Sequence, residues 1–444
     1  MVDNARPGWL AGIERYHLLV FLGCWLGGIF DGMDSSLYMV VQADAIAEVA
    51  HTVDRAVISQ MGSWIMATFL FGWVAGGICF GVIGDRFGRV TAMIFSILLY
   101  ALFTGAAGFA HTPEQLAFCR FLTGFGIGGE LVTIATMLSE TWPEASRAMA
   151  VGMLITSYQV GVFLAGLIPA VVYDQVVHWP LFSGFTPWRI VFFFGVLPAV
   201  LAIFLRLNLK EPEKWELAHA ARKATEAQSD QGLAAQFQAG WRQLQAIFAP
   251  GHRRDVFVGA AIFGGLLIGY WASLAWIPTW IQDIIGPGGS GTEKSVATMY
   301  HGIAAVAGCA LSGWVANAIG RRWTIAIAYL GSFAATALLT LTNTAFTPAI
   351  FWQDALLGFF IGMSQAIMYV YLPELFPTRI RASAVGFCLN AGRVLTAVAV
   401  LFVGMVTLFF GGYAMAILAF SASYLVAVAM GLVGRETNGV PLPD

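Results

Sequence analysis

About twelve apolar runs constrain this chain more than anything else in it, beginning near residues 17, 59, 90, 115, 149 and 188 and again near 255, 297, 323, 349, 384 and 411. Each is long enough to cross a bilayer core of about 30 Å as a helix rising about 1.5 Å per residue. With 58% hydrophobic and only 11% charged residues among 444, the chain has too few charges to cover a water-soluble surface of its size. The expectation is an all-α membrane protein with twelve transmembrane helices in two pseudo-symmetric six-helix bundles. The first bundle occupies residues 1–207, a cytoplasmic linker 208–254, and the second bundle 255–444.

Lysine and arginine set the orientation. Placing the N-terminus inside puts Arg86, Arg89, Arg147, Arg321, Arg322, Arg379, Arg381 and the central loop in the cytoplasm, leaving mainly Arg55 and Lys294 outside. Both termini are then cytoplasmic, and a bacterial inner membrane suits the whole. Between Asn208 and Asp255 the composition shifts to Glu, Lys, Gln and Ala with Trp215, Phe237, Trp241 and Phe248 interspersed, which predicts short amphipathic helices at the membrane surface. Residues Met1 to Tyr16 are polar, and no signal-type cleavage site follows the first apolar run, so the first helix is expected to stay in the mature protein. The five cysteines fall in or beside apolar runs without metal-type spacing, and a net charge of -2 argues for no nucleic-acid partner.

The halves repeat. Gly84-Asp85-Arg86-Phe87-Gly88-Arg89 after the second span corresponds to Ala316-Asn317-Ala318-Ile319-Gly320-Arg321-Arg322 after the eighth. Glu140-x-x-Pro143-x-x-x-Arg147 after the fourth span corresponds to Glu374-x-x-Pro377-x-x-x-Arg381 after the tenth. Separations of 62 residues from Asp85 to Arg147 and 64 from Asn317 to Arg381 make chance agreement remote. A duplicated six-helix unit is the architecture of transporters that bind substrate between halves and rock around it. In that setting Asp85, Arg89, Glu140, Arg147, Glu374 and Arg381 read as an electrostatic gate on the cytoplasmic side, broken when that side opens. A role in topology alone would use the same arginines. Asn317 replaces an acid, so the C-terminal latch should be the weaker.

Ionisable residues inside the spans carry the chemistry. Asp31 and Asp34 sit three apart in the run from His17 to Val41, on one helix face, where unpaired charge costs several kcal/mol. Arg120 is expected in the same outer half of the bilayer, able to neutralise one of them. Pairing with arginine favours the carboxylate and separation favours the acid, so these three residues read as a proton-coupling element, with a static ion pair as the alternative. Arg393 lies near the midplane, one turn after Asn390, and suits a bidentate clamp on a substrate carboxylate. It could instead pair with Glu130 or the first-helix acids. Gln159, Gln365, Tyr270, Tyr369 and Trp276 are candidates for hydrogen bonds and aromatic walls around the substrate.

Together these residues resemble the major facilitator superfamily over essentially the whole chain: the loop motif, the duplicated Glu-x-x-Pro-x-x-x-Arg, and Arg120 followed by Gly124, Gly126 and Gly128. Asp31-Gly32-Met33-Asp34 is similar to the acid pair in the first helix of aromatic acid:proton symporters. Glu130 after Gly128-Gly129, Glu140-Thr-Trp-Pro143 and the stretch from Pro373 through Asn390 to Arg393 are more similar to the sialic acid and related metabolite:proton symporters. The resemblance implies uptake of an organic anion with protons, with Asp31, Asp34, Arg120 and Arg393 at the matching functional positions. Lys210-Glu-Pro-Glu-Lys-Trp215 and Arg435-Glu-Thr-Asn-Gly439 are similar to stretches of the sugar porters.

The chain is thus expected to be a secondary transporter, with a small organic anion, protons and the lipid bilayer as partners and a monomer as the working unit. A proton-coupled sugar or polyol porter and an efflux antiporter remain open alternatives. No ATP-binding Gly-x-x-x-x-Gly-Lys-Ser/Thr loop and no metal or Ser/His cluster points to a cofactor or an enzyme.

Overall fold

The computed structural model describes residues 13–212, 215–216, 245, 247–286, 291–377 and 380–440. Most of the expected linker and Arg379 lie outside these residues, as do the side chains of the gate candidates Asp85 and Arg147. The first half comprises α1 (Arg15–Val49), α2 (Arg55–Phe87), α3 (Arg89–Ala107), α4 (Pro113–Thr141), α5 (Glu144–Asp174), α6 (Pro187–Phe194) and α7 (Pro198–Asn208). The second comprises α8 (Arg253–Ser273), α9 (Ile277–Ile285), α10 (Thr292–Ile319), α11 (Arg321–Thr342), α12 (Ala349–Glu374), α13 (Arg381–Leu401), α14 (Val403–Phe410), α15 (Tyr413–Ser421) and α16 (Ser423–Val433).

Among the described residues, eleven helical stretches are long and apolar enough to cross a membrane. They include three that run through breaks: α6 into α7, α8 into α9 and α15 into α16. Pro198 and Pro278 stand at the first turns of α7 and α9, where a missing N–H costs nothing. The twelfth span is α4, 29 residues long, packed along α2 and α3 and carrying Arg120 and Glu130. Large apolar side chains such as Phe95, Leu102, Ile303, Trp314 and Trp352 stand exposed on the outside of the bundle, as an integral membrane protein requires.

Close helix crossings repeat between the halves. A Cβ at Gly76 of α2 would strike the Phe125 carbonyl of α4, and one at Gly308 of α10 would strike the Phe359 carbonyl of α12. Small residues let these backbones approach where burial of apolar area supplies no drive in lipid. The loop motif repeats as well. Gly88 and Gly320 join α2 to α3 and α10 to α11 with φ of 111° and 90°, a region that favours glycine. Against each lies a carboxylate from the segment after the half's last helix: Glu211 against Gly88 and Glu436 against Gly320.

The core position belongs to α1. Every residue from Asp31 to Gln42 is buried, because α1 is enclosed by α4, α5 and α6 of its own half and by α9 and α10 of the other. The two halves meet chiefly along α5 with α10 and along α2 with α13 and α14.

Candidate functional site

A cavity of about 130 Å³ lies between the halves. From the first half it takes Asp31 of α1, Trp73 of α2 and Tyr158 of α5, and from the second Phe263, Tyr270 and Trp271 of α8, Gln365 and Tyr369 of α12 and Arg393 of α13. Its walls are largely aromatic. Trp73 meets Trp271 edge-on at 5.6 Å between ring centroids, and Tyr158 approaches Tyr270 at 6.4 Å, so rings from both halves share one lining.

Asp31 and Arg393 are the charged pair of this lining. The Arg393 guanidinium stands 5.7 Å from the Trp73 ring centre, and its Nη1 donates to Asn390 Oδ1 at 3.3 Å. Asn390 in turn donates to the Gly386 carbonyl at 2.9 Å, so it holds the guanidinium from behind without lining the cavity. Asp31 attracts Arg393 across the cavity, yet no hydrogen bond joins them, and Asp31 Oδ1 is buried without a partner. The cavity therefore keeps one cation and one carboxylate apart in an apolar enclosure.

Several expected residues sit elsewhere. Asp34 turns away from the cavity toward α3, where Thr104 Oγ1 donates to its Oδ2 at 2.7 Å. Arg120 makes no hydrogen bond; its guanidinium lies 4.2 Å from the Phe69 ring centre and 4.9 Å from that of Tyr38, and it feels the Asp34 charge at longer range. The expected Arg120 ion pair is thus replaced by aromatic faces, which attract a cation without taking it out of the bundle. Glu130 is buried against Gly27, one turn of α1 before Asp31, and does not line the cavity. Gln159 lies just behind the lining and donates to Gln365 Oε1 at 2.5 Å, a direct link between halves. Trp276 stacks on Tyr413 at 5.9 Å, away from the cavity.

A family model described as Major Facilitator Superfamily matches residues 24–400. The chain belongs to the major facilitator superfamily. It is a transporter by family and not an enzyme. It is 27% identical to a probable 4-methylmuconolactone transporter of Cupriavidus pinatubonensis, over 98% of this chain and 94% of that one. It is 26% identical to the cis,cis-muconate transport protein of Acinetobacter baylyi, over 86% of this chain and 85% of that one. In fold it matches a partially occluded inward-open form of the xylose transporter XylE from E. coli with a TM-score of 0.74, at 16% identity, covering 97% of this chain and all of that one.

In this major facilitator chain, polar links between the halves gather toward the end of the bundle where α1 finishes. Gln42 donates to the Ala275 carbonyl and to Thr279 Oγ1, both at 3.0 Å. Asp44 accepts from Lys294 Nζ and Gln282 Nε2, each at 2.7 Å, and from the Tyr173 hydroxyl. Arg55 pairs with Asp283 at 2.6 Å. Arg55 and Lys294 entered the sequence reading only as outer charges, and the pairings were not legible because all but that of Tyr173 with Asp44 join residues more than 200 apart with no local pattern. Lys294 is only 1% exposed, so removing Asp44 strands a buried cation at a cost of about 3–5 kcal/mol. Asp44→Ala should therefore loosen this seal and raise thiol labelling of a cysteine placed at Ser36; labelling unchanged from the parent would show that the seal rests on packing alone.

Two of the gate candidates' carboxylates are held in arginine forks. Arg89 grips Glu140 through Nη2 to Oε1 at 3.0 Å and Nε to Oε2 at 3.3 Å. In the second half the partner of Glu374 is Arg321, through the same two nitrogens at 3.0 and 3.2 Å, while Arg381 Nε donates to the Phe376 carbonyl. Both forks stay within one half and tie its third helix to its fourth, so they brace a half internally and do not bridge the halves. In the C-terminal copy Arg321 also donates to Asn317 at 2.9 Å and Asn438 at 2.8 Å.

Glu436 caps α11 by accepting from the backbone N–H groups of Arg321 at 2.9 Å and Arg322 at 3.1 Å. Burial pushes its carboxyl up, but these donors, with Asn438 and Thr437, outweigh burial and hold it below the usual carboxylate range. The ionised form therefore stabilises the fold at neutral pH, and that contribution fades as pH falls below the ordinary value of about 4.3 and through the lowered one. Glu436→Gln should melt earlier than the parent at pH 7 in detergent, and the gap should close as pH drops below about 4. A gap that persists in acid would assign the loss to shape and not to charge.

Proposed function

We propose that this transporter carries a small organic anion together with protons by alternating access, with the central cavity as its binding site. The observation that carries this reading is Asp31 and Arg393 facing one aromatic-walled cavity between the halves while remaining unbonded to each other. A carboxylate entering the cavity gains a planar guanidinium that Asn390 already orients, and its apolar part gains the ring faces of Trp73, Trp271 and Tyr270. Gln365 and Tyr369 supply hydrogen bonds to the remaining polar groups, with Gln159 behind Gln365. The muconate and methylmuconolactone named for the relatives are small conjugated molecules of the kind such walls hold.

Asp31 then carries the coupled proton. An anion bound to Arg393 withdraws the cation's attraction from Asp31, and an isolated carboxylate in this enclosure is stabilised by taking up a proton. Asp34, Arg120 and Glu130 form a buried layer around α1 that responds to the charge on Asp31 without touching substrate. With both termini in the cytoplasm, as the arginine bias asks, the sealed end faces outward and the structure is an inward-facing form. The Arg89–Glu140 and Arg321–Glu374 forks brace the halves as rigid bodies that rock about the cavity.

The test is uptake by purified protein in proteoliposomes, with a panel of muconates, aromatic acids, sugar acids and neutral sugars, with and without an inward proton gradient. Gradient-stimulated accumulation of an acid is the expected result. Uptake of neutral sugars alone would return Arg393 to a structural role, and export driven by the opposite gradient would make the protein an antiporter.

A further inference from the structure

A second, much smaller gap lies between the halves, outside the main cavity. Its volume is about 10 Å³, near the least that holds one water, and its polar lining is Ser36 of α1, Thr298 of α10 and Asp354 of α12. Asp354 is 1% exposed and its Oδ1 lies 3.0 Å from His301 Nδ1. His301 is wholly buried, and its Nε2 has no hydrogen-bond partner. Neither residue lines the central cavity.

Charge counting makes this pair a proton binder. With a neutral imidazole it holds a net negative charge enclosed at membrane depth, whereas one added proton makes it an imidazolium–carboxylate pair of no net charge. The other ionisable groups on the surrounding helices have their own partners. Lys294, two turns outward on α10, binds Asp44 of α1, which also holds Tyr173 of α5. Asp283 of α9 pairs with Arg55, Tyr300 of α10 stacks on Phe351, and Glu293 of α10 has partners of its own. Tyr329 of α11 packs on Tyr424. Among the described residues the basic group beside Asp354 is His301.

Ser36 stands toward the central cavity, its hydroxyl buried without a hydrogen-bond partner. Ser36 adjoins the hydroxyls of Tyr158 and Tyr270, both of which line that cavity, and Tyr158 shares a hydrogen bond of 2.9 Å with Ser35. We propose that His301 and Asp354 form a second proton-binding site of the transport cycle, loaded when the halves part at the outer end and emptied toward the central cavity through Ser36 and Tyr158. The proton binds at the imidazole and leaves Asp354 ionised; on release it passes by way of Asp354 to a water in the gap, then to Ser36, which hands its own hydroxyl proton to Tyr158 as Tyr158 gives up its proton to water in the central cavity. This inference rests on the proton-coupled reading above and adds to it that at least two protons accompany each substrate.

The experiment measures steady accumulation of radiolabelled cis,cis-muconate, or of the acid the uptake panel selects, in proteoliposomes held at zero membrane potential by potassium and valinomycin. At equilibrium each coupled proton multiplies the accumulation ratio by about ten per unit of pH gradient. The wild type should rise about a hundredfold per unit, and His301→Gln and the double variant His301→Gln with Asp354→Asn about tenfold. The double variant leaves no lone partner buried, and a tenfold wild-type slope overturns the second site even where neither variant inserts. A wild-type slope of tenfold, or a hundredfold slope that both variants retain, overturns the second site and leaves the first reading standing. A ratio that ignores the pH gradient altogether overturns the proton-coupled reading itself.

Discussion

Arg393→Lys should weaken binding of the transported acid by about 10- to 150-fold, measured by calorimetry on purified protein. The expectation follows from what the fork does in the cavity. A guanidinium held by Asn390 presents two parallel N–H groups to a carboxylate, and lysine keeps the charge but meets it with a single rotating donor. Losing one charge-assisted hydrogen bond costs about 1.5–3 kcal/mol, which is the stated range. Asn390→Ala should act in the same direction and less strongly, because it frees the guanidinium without removing it. Parental affinity in the lysine variant would mean that the acid is bound by the aromatic walls, with Arg393 serving only to balance Asp31.

The second large effect separates the two acids of α1. Asp31→Asn should cut accumulation driven by a proton gradient by about tenfold per unit of gradient, the share of the one proton it carries, while exchange of labelled for unlabelled acid continues. Asp34→Asn should cost far less. Its asparagine oxygen can still accept from Thr104, and the residue faces α3 and not the cavity. Equal loss in both variants would show that the pair titrates as one unit, with the proton shared through the buried layer.

The contrast between Asp31 and Asp34 shows where sequence reasoning reaches its limit. Apolar runs located the spans because lipid admits little but closed helices, and the duplicated motifs located the two halves. Even α4, diluted by Arg120 and Glu130, was legible from its length and its place in the repeat. Residues three apart share a helix face, yet the cavity edge falls between Asp31 and Asp34, and no periodicity reveals where a second bundle will stand. Depth alone suggested that Arg120 would meet an acid, but azimuth decided the matter, and it met Phe69 and Tyr38. Arg393 was legible because a cation at membrane depth is rare. Trp73, Trp271 and Tyr158 were not, because aromatic residues are common throughout such bundles and only the meeting of two halves distinguishes these. The seal of Asp44 with Lys294 and the buried pair of His301 with Asp354 join helices whose neighbours are set by the tertiary fold.

The carboxylates of Glu211 and Glu436 have a consequence for how the protein is made. Glu211 accepts from the backbone of Val90 and Thr91 at 3.1 Å each, and Tyr16 donates to the neighbouring Lys210 carbonyl at 3.0 Å. All of these partners precede α8 in the chain. Once Glu211 has left the ribosome, the first half holds the described groups that cap the start of α3. Glu436 stands in the same relation to α11, so each half is finished by its own last residues. Biogenesis can then proceed as two successive insertions of a self-contained unit, and docking of the halves is left as the final event.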